Sequence, residues 1–158
     1  MDIVIREASL QDLDTIARFN AAMARETEDK ELSTRIVTQG VQRVLSDPGC
    51  GQYFIAVIDD RVVGQLMFTL EWSDWRNGWF WWIQSVYVVP DWRGKRVFST
   101  LYNHLEMLAR DDKEVCGLRL YVNAENTSAQ ATYHALGMES TGYRVMEAVF
   151  DSGDSNDA

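Results

Sequence analysis

The chain has 158 residues, 46% of them hydrophobic, enough for one compact domain with a real core and little room for a second. Its 15 basic and 24 acidic residues leave a net charge of -9, which argues against a general nucleic-acid or anionic-membrane surface and suits cationic small molecules. Two cysteines, Cys50 and Cys116, lie far apart without paired spacing and point neither to a disulfide framework nor to a zinc cluster. A reducing cytoplasm is the simplest setting, because the N-terminal apolar stretch is too short for a signal peptide and no apolar run approaches a membrane span.

In chain order, IVIREA (3–8) reads as a short strand, and SLQD (9–12) offers Ser9 as a helix cap with Asp12 three residues on. Leu13, Ile16, Ala17, Asn20 and Met23 then fall at helical spacing. The charged stretch RETEDKE (25–31) interrupts that helix, and a second periodic segment runs from about Leu32 to Leu45. After the breaker SDPGCG come the strands QYFIAVI (52–58) and VVGQLMFTLEW (62–72), joined by a tight turn at Asp59 and Asp60. A third strand, WFWWIQSVYVV (79–89), is apolar on both faces, as expected of a strand covered on both sides. Pro90 ends it, and the next helix carries Val97, Leu101, Leu105 and Leu108 on one stripe. GLRLYVN (117–123) predicts another strand, NTSAQATYHALG (126–137) a short helix closed by Gly137, and YRVMEAVF (143–150) a last strand. One domain is expected over 1–150, with no internal repeats, and the acidic, apolar-poor ending 151–158 is expected to be a disordered tail.

DWRGKRVFSTLY (91–102) lies between a strand that stops at a proline and a helix N-terminus, and such a turn, rich in N–H groups, makes a site for phosphates. Glycines usually give an anion access to the backbone there, and Arg96 and Phe98 lack that advantage. On composition alone, RGK at this place is more often a solvated basic helix start than a ligand site.

Two segments raise the signal. VYVVPDWRGKRVF (86–98) resembles the strand-to-loop segment of the GNAT acyltransferase superfamily, which reads arginine or glutamine, two variable residues, glycine, one variable residue, then glycine or alanine. Arg93 matches the first position, while Arg96 and Phe98 depart from the last two. NTSAQATYHALGM (126–138) is similar to a later helix of the family, with Asn126, Ala129, Tyr133 and Gly137 all in place. The resemblance covers nearly the whole chain before the tail. It implies a mixed α/β fold, a central, mostly antiparallel sheet with splayed fourth and fifth strands flanked by helices. It also implies acetyl-CoA as co-substrate, no metal, and direct attack of an amine on the thioester in a ternary complex. By the same resemblance the backbone of Val86, Tyr87 and Val88 holds the pantetheine arm and polarises the thioester carbonyl. Arg93, Gly94, Lys95, Arg96, Val97, Phe98 and Ser99 take the pyrophosphate, Asn126 belongs to the cofactor side, and Tyr133 protonates the leaving thiolate. A core tyrosine lining a cleft is the structural alternative for Tyr133, since Ala129, Tyr133 and Leu136 share a helical stripe.

The acceptor side centres on EWSDWRNGWFWWIQS (71–85), where Glu71, Trp72, Asp74 and Trp75 combine carboxylates and aromatic faces suited to a cation. A solvated hairpin rim is the competing reading for these four, and core is the expected place of Trp81 and Trp82. A partial similarity to the polyamine acetyltransferases of the superfamily puts Gln84 where those enzymes carry an acidic residue, so a base must come from elsewhere or through water, or the substrate must arrive neutral. Glu26 and Glu28, in the expected break between the first two helices, are candidates, with a solvated acidic turn as the alternative. His104 and His134 have no partner at useful spacing for metal or nucleophile chemistry. The function expected is an N-acetyltransferase acting on a primary amine of a small cationic metabolite, with no nucleic-acid or membrane partner; exposed aromatic surface leaves room for a homodimer. Protein lysines as acceptors, a non-catalytic CoA-sensing module and an acyl-CoA-independent cation-binding protein stay open as alternatives.

Overall fold

The computed structural model describes residues 2–150; the expected tail at 151–158 lies outside the described residues. The chain divides into two compact units, one through Leu120 and one from Tyr121 onward. In the first, strands β1 (Val4–Glu7), β2 (Gln52–Ile58), β3 (Arg61–Ser73), β4 (Gly78–Val88) and β5 (Val115–Leu120) form one sheet in the order β1-β2-β3-β4-β5. Neighbours are antiparallel except β4 and β5, which run parallel. Helices α1 (Leu13–Glu28) and α2 (Thr34–Ser46) connect β1 to β2, and α3 (Val97–Asp111) makes the crossover from β4 to β5 that a parallel pair requires.

Because β2 and β3 bury side chains of both parities, each face of the sheet has to be covered. On one face Ile16 of α1 and Val41 of α2 pack with Tyr53, Ile55 and Met67. On the other, His104 of α3 meets Phe54 edge-on at 5.2 Å, and Val97, Leu101 and Leu105 supply the apolar stripe read from the sequence. Leu101 and Leu105 are fully buried, a contribution of roughly 1.5–3 kcal/mol each. Gly64 of β3 lets α3 come this close: a Cβ there would lie 2.8 Å from Val97 Cγ1 and 3.2 Å from Tyr87 O.

The β2–β3 turn is the two-residue hairpin expected. Asp59 and Asp60 both take positive φ, 49° and 63°, between the paired residues Ile58 and Arg61, which is the type I′ geometry that follows strand twist. At the start of α1, Ser9 N–H donates to the Asp12 carboxylate at 2.8 Å, and Arg6 clamps the same carboxylate through two bonds of 3.0 Å. Burial pushes Asp12 up, but the bonds from Arg6 and Ser9 outweigh it and hold the carboxyl below its usual range.

Three expectations are corrected. α1 does not break at the charged stretch but runs to Glu28, so Glu26 and Glu28 sit on its last turn. Arginine and glutamate are good helix formers, and a charged face ends an apolar stripe without ending a helix. What closes α1 is Asp29, left-handed at φ 52°, with Lys30 N–H bonding back to Ala24 O at 3.1 Å. The fifth strand stops at Leu120, short of the expected 123, and 143–150 forms no strand. Tyr143, Val145, Met146, Val149 and Phe150 are exposed there: β propensity describes a fit to a pleated neighbour, and none of these residues is laddered to one.

The second unit holds α4 (Thr127–Ala135). Asn126 caps it, its side-chain oxygen accepting from Ala129 N–H at 3.1 Å. Gly137, at φ 97°, closes it as expected, with Gly137 N–H to His134 O and Met138 N–H to Tyr133 O, both 3.0 Å.

Candidate active site

The features that shape a site begin on β4. Its pairing with β5 ends at Ile83 and Leu120, while Gln84–Val88 run on beside β3 alone. The ladder stops there because β5 itself ends at Leu120. Within that stretch the β3 register passes from Met67 opposite Gln84 to Gln65 opposite Tyr87, so β4 carries one residue more than β3. Ser85 and Val86 fall outside the paired register, and Ser85 takes φ 50°, a conformation that side chains with a Cβ rarely adopt.

Beyond the bulge, Val89 N–H bonds Val63 O at 2.9 Å and the chain turns through Pro90–Trp92 into the basic loop. Arg96, where the family pattern has glycine, is left-handed at φ 67° and precedes α3 directly. Its carbonyl accepts from the Thr100 hydroxyl at 2.6 Å and the Ser99 hydroxyl at 3.2 Å, and no side chain caps the helix. The start of the helix thus lies beside the cations Arg93, Lys95 and Arg96, an arrangement suited to an anion. Val97 is buried and Phe98 half-buried, the latter 6.1 Å from Tyr102, so their side chains face the protein.

Two residues predicted for different sides of the reaction meet here. Arg93, from the loop, pairs with Glu26 at the end of α1 (2.8 Å) and donates through Nε to Val88 O (2.8 Å). The Tyr87 hydroxyl donates to Glu26 at 3.4 Å, and the Arg93 guanidinium lies 5.4 Å from the Tyr87 ring centre. Burial, reinforced by the Glu26 charge, pushes the Tyr87 phenol up. Glu28, Gly94 and Lys95 are exposed, with the Lys95 ammonium 5.1 Å from the Trp92 ring centre.

The β3–β4 hairpin gives a different picture for the acceptor residues. Glu71 is held by Arg119 of β5 at 2.6 Å, and the same guanidinium lies 3.7 Å above the Phe80 ring. Trp72 meets Trp79 edge-on at 4.9 Å, while Asp74 and Trp75 stand at the hairpin tip, Trp75 86% exposed. Gln84 reaches across to the Thr69 hydroxyl at 2.6 Å. Trp81 and Trp82 are half-buried rather than core; Phe80 and Ile83 take the buried positions, and Trp81 stacks on Phe68 at 4.1 Å. In the second unit Tyr133 is half-buried on α4, and burial pushes its phenol up. His134 Nδ1 lies 3.1 Å from Met138 O.

Sequence reasoning passed over a chain of polar groups under the bulge. Gln65 Nε2 donates to Asn20 Oδ1 (2.7 Å) and to Ser85 O (3.0 Å), and Asn20 Nδ2 donates to the Tyr53 hydroxyl (3.1 Å). Burial pushes the Tyr53 phenol up, against the opposing effect of its polar neighbours Asn20 and Ser85. The one available signal was Gln65 itself, a polar residue inside the apolar run VVGQLMF. Arg119 was missed because nothing in its own strand marks it.

A mixed sheet whose fourth strand bulges beyond its pairing with the fifth, followed by a basic loop at a helix start, has the arrangement of the acyltransferase class resembled. Residues 10–138 match the model of the Acetyltransferase (GNAT) family, and the chain belongs to that family and is an N-acetyltransferase. Among solved structures, a possible acetyltransferase from Clostridium difficile 630 is 47% identical, with 94% of this chain and 98% of that chain covered and a TM-score of 0.89. The fold is shared with a predicted acetyltransferase with acetyl-CoA from Clostridium acetobutylicum (14% identity, 93% and 96% covered, TM-score 0.76). A ribosomal-protein-alanine N-acetyltransferase from Brucella melitensis biovar Abortus 2308 has it too (18% identity, 95% and 100% covered, TM-score 0.76). No curated protein matches. Among the described residues no helix is long and apolar enough to cross a membrane.

Proposed function

We propose that the enzyme moves the acetyl group of acetyl-CoA to a primary amine of a small cationic metabolite, such as a polyamine or an amino acid, by direct attack in a ternary complex. The observation that carries this reading is β4 itself, which runs on past the end of its β5 pairing at Ile83, bulges at Ser85 and Val86, and leads into the three-cation loop at the start of α3. The bulge thus lies next to an anion site. The N–H groups of Val86, Tyr87 and Val88 serve the pantetheine arm and the thioester carbonyl, where a preorganised amide meets developing charge without a side chain. Arg93, Gly94, Lys95, Arg96 and the first turn of α3 through Ser99 receive the pyrophosphate. Asn126 acts on the cofactor side through the helix start it caps. Tyr133 is the proton donor to the leaving thiolate, on the resemblance of its helix; a phenol raised by burial stays protonated and available as an acid.

The acceptor is recognised by carboxylates and rings among Glu26, Glu28, Glu71, Trp72, Asp74, Trp75 and Gln84, in keeping with the acidic balance of the chain. Glu26 joins the two sides of this site, holding Arg93 of the loop at 2.8 Å and accepting from the Tyr87 hydroxyl. The reading extends to one acetyltransferase domain over 1–150, a cytoplasmic setting and a homodimer.

Calorimetry with acetyl-CoA followed by thiol release across a panel of amines tests the proposal. Binding with acceptor-dependent thiol release by small cations is expected. Release only with peptide lysines would move the acceptor to proteins, and binding without release would make the chain a sensor.

A further inference from the structure

The carbonyl of the left-handed Ser85 accepts from Gln65 Nε2, which also donates to Asn20 Oδ1, and Asn20 Nδ2 donates in turn to the Tyr53 hydroxyl. The four residues come from β3, α1, β2 and β4, so each element that packs beneath the bulge contributes one member. Gln65 is 0% exposed, and its second amide atom, Oε1, has no hydrogen-bond partner. A buried acceptor without a partner costs free energy that an apolar residue of the same size would not. The amide is held in one orientation all the same, because Nε2 faces two acceptors and a flip would set Oε1 against both.

The consequence follows from the planarity of the peptide group. Across the trans bond from Ser85 to Val86 the C=O and the N–H point in opposite directions, so whatever fixes the Ser85 carbonyl also fixes the Val86 N–H. Both residues lie outside the β3–β4 ladder, and the strand pairing that would otherwise orient this peptide is missing here. We propose that Gln65 is a positioning residue for acetyl transfer: by holding the Ser85 carbonyl, it aims the Val86 N–H away from the core as a preformed donor to the thioester carbonyl. Asn20, itself bonded to Tyr53, sets Gln65 in turn. The inference rests on the proposed role of Val86 and adds the side chain that gives that N–H its direction.

The test uses Gln65→Met, which keeps the size and removes the donor, and Gln65→Glu, which keeps the shape. Wild type and variants are titrated calorimetrically with acetyl-CoA and with CoA, and thiol release is followed with the best amine of the panel. Only acetyl-CoA has the thioester carbonyl. The affinity for CoA is expected to change by less than about twofold, the preference for acetyl-CoA over CoA to disappear, and kcat to fall roughly tenfold to a hundredfold with the acceptor KM nearly unchanged. A merely structural role would lower Tm and weaken both ligands together, leaving their ratio and kcat at saturation intact; that result overturns the proposal. Where Gln65→Met fails to fold, Gln65→Glu answers with the same readouts. The Val86 amide proton of the wild type should shift on adding acetyl-CoA and not on adding CoA, and equal shifts with the two ligands would also overturn it. Absence of acetyl-CoA binding by the wild type would instead sink the functional reading itself.

Discussion

Arg96 occupies a glycine position of the family pattern and takes the conformation that glycine is used for, with φ 67°. An L-residue held there costs about 1–2 kcal/mol relative to its ordinary conformations. Arg96→Gly is therefore expected to raise the stability in urea by about 1 kcal/mol, whatever it does to the cofactor. Its effect on acetyl-CoA separates two readings. If the guanidinium supplies charge in place of close backbone approach, affinity falls or stays level, and the wild type loses affinity more steeply with salt than the variant. A distinctly tighter complex would mean that the side chain obstructs the phosphates. The departure at this position was visible in the sequence, but the strain was not, because a backbone angle is imposed by the start of α3 and not by the residue. Tyr133 makes a second case at this scale. Tyr133→Phe removes one hydroxyl and should lower kcat roughly tenfold to a thousandfold at nearly constant acetyl-CoA affinity. A phenol raised by burial must lose its proton before it fails as an acid, so wild-type kcat should hold up to a pH above the ordinary phenol value of about 10. An unaltered rate in the Phe variant at saturating substrates would remove Tyr133 from the mechanism.

At the scale of elements, periodicity located every strand of the sheet and every helix, and missed chiefly at the ends. β2 falls on the expected residues, and its hairpin to β3 is the clearest local signal in the chain, since two short acidic residues between alternating segments tolerate positive φ. They tolerate it at a cost. Asp59→Asn with Asp60→Gly places the residues that type I′ geometry prefers and removes two adjacent negative charges; a gain of about 1 kcal/mol in urea unfolding is expected. No gain would mean that the Asp pair makes compensating bonds in solution. The errors share one cause. The end of α1 was drawn where its apolar stripe stops, although the backbone continues for another turn to Asp29, and 143–150 was read as a strand on propensity without a ladder partner. The bulge on β4 was illegible for the same reason: it is a mismatch between two strands, and neither VVGQLMF nor WFWWIQSVYVV records it alone.

The molecule as a whole is acidic by nine charges. Arg6, Arg43, Arg110 and Arg119 are each tied to a carboxylate, as is Arg93, while Lys95 and Arg96 stand exposed at the loop. An anionic cofactor thus approaches this basic loop against an unfavourable net field, and a cationic acceptor approaches with it. Salt separates the two: shrinking the Debye length from about 30 Å at 0.01 M to about 3 Å at 1 M should raise the KM of a polyamine acceptor much more than that of an amine carrying a single charge. The structure also ranks the carboxylates behind that field. Glu71 has its charge answered by Arg119, and Glu26 by Arg93, whereas Asp74 and Glu28 are exposed. Neutralising a carboxylate that touches the acceptor should raise its KM roughly tenfold for about 1.4 kcal/mol lost, with acetyl-CoA affinity unchanged. Glu26→Gln should depart from this pattern by disturbing both ligands, because it releases Arg93, which also bonds Val88 O beside the proposed thioester site. Glu71→Gln frees Arg119 and leaves a new cation above Phe80, so its effect on a polycationic acceptor should exceed that of Asp74→Asn. If Glu26→Gln, Glu28→Gln, Glu71→Gln and Asp74→Asn all handle the best acceptor as the wild type does, these carboxylates do not recognise it, and the acidic balance serves solubility instead.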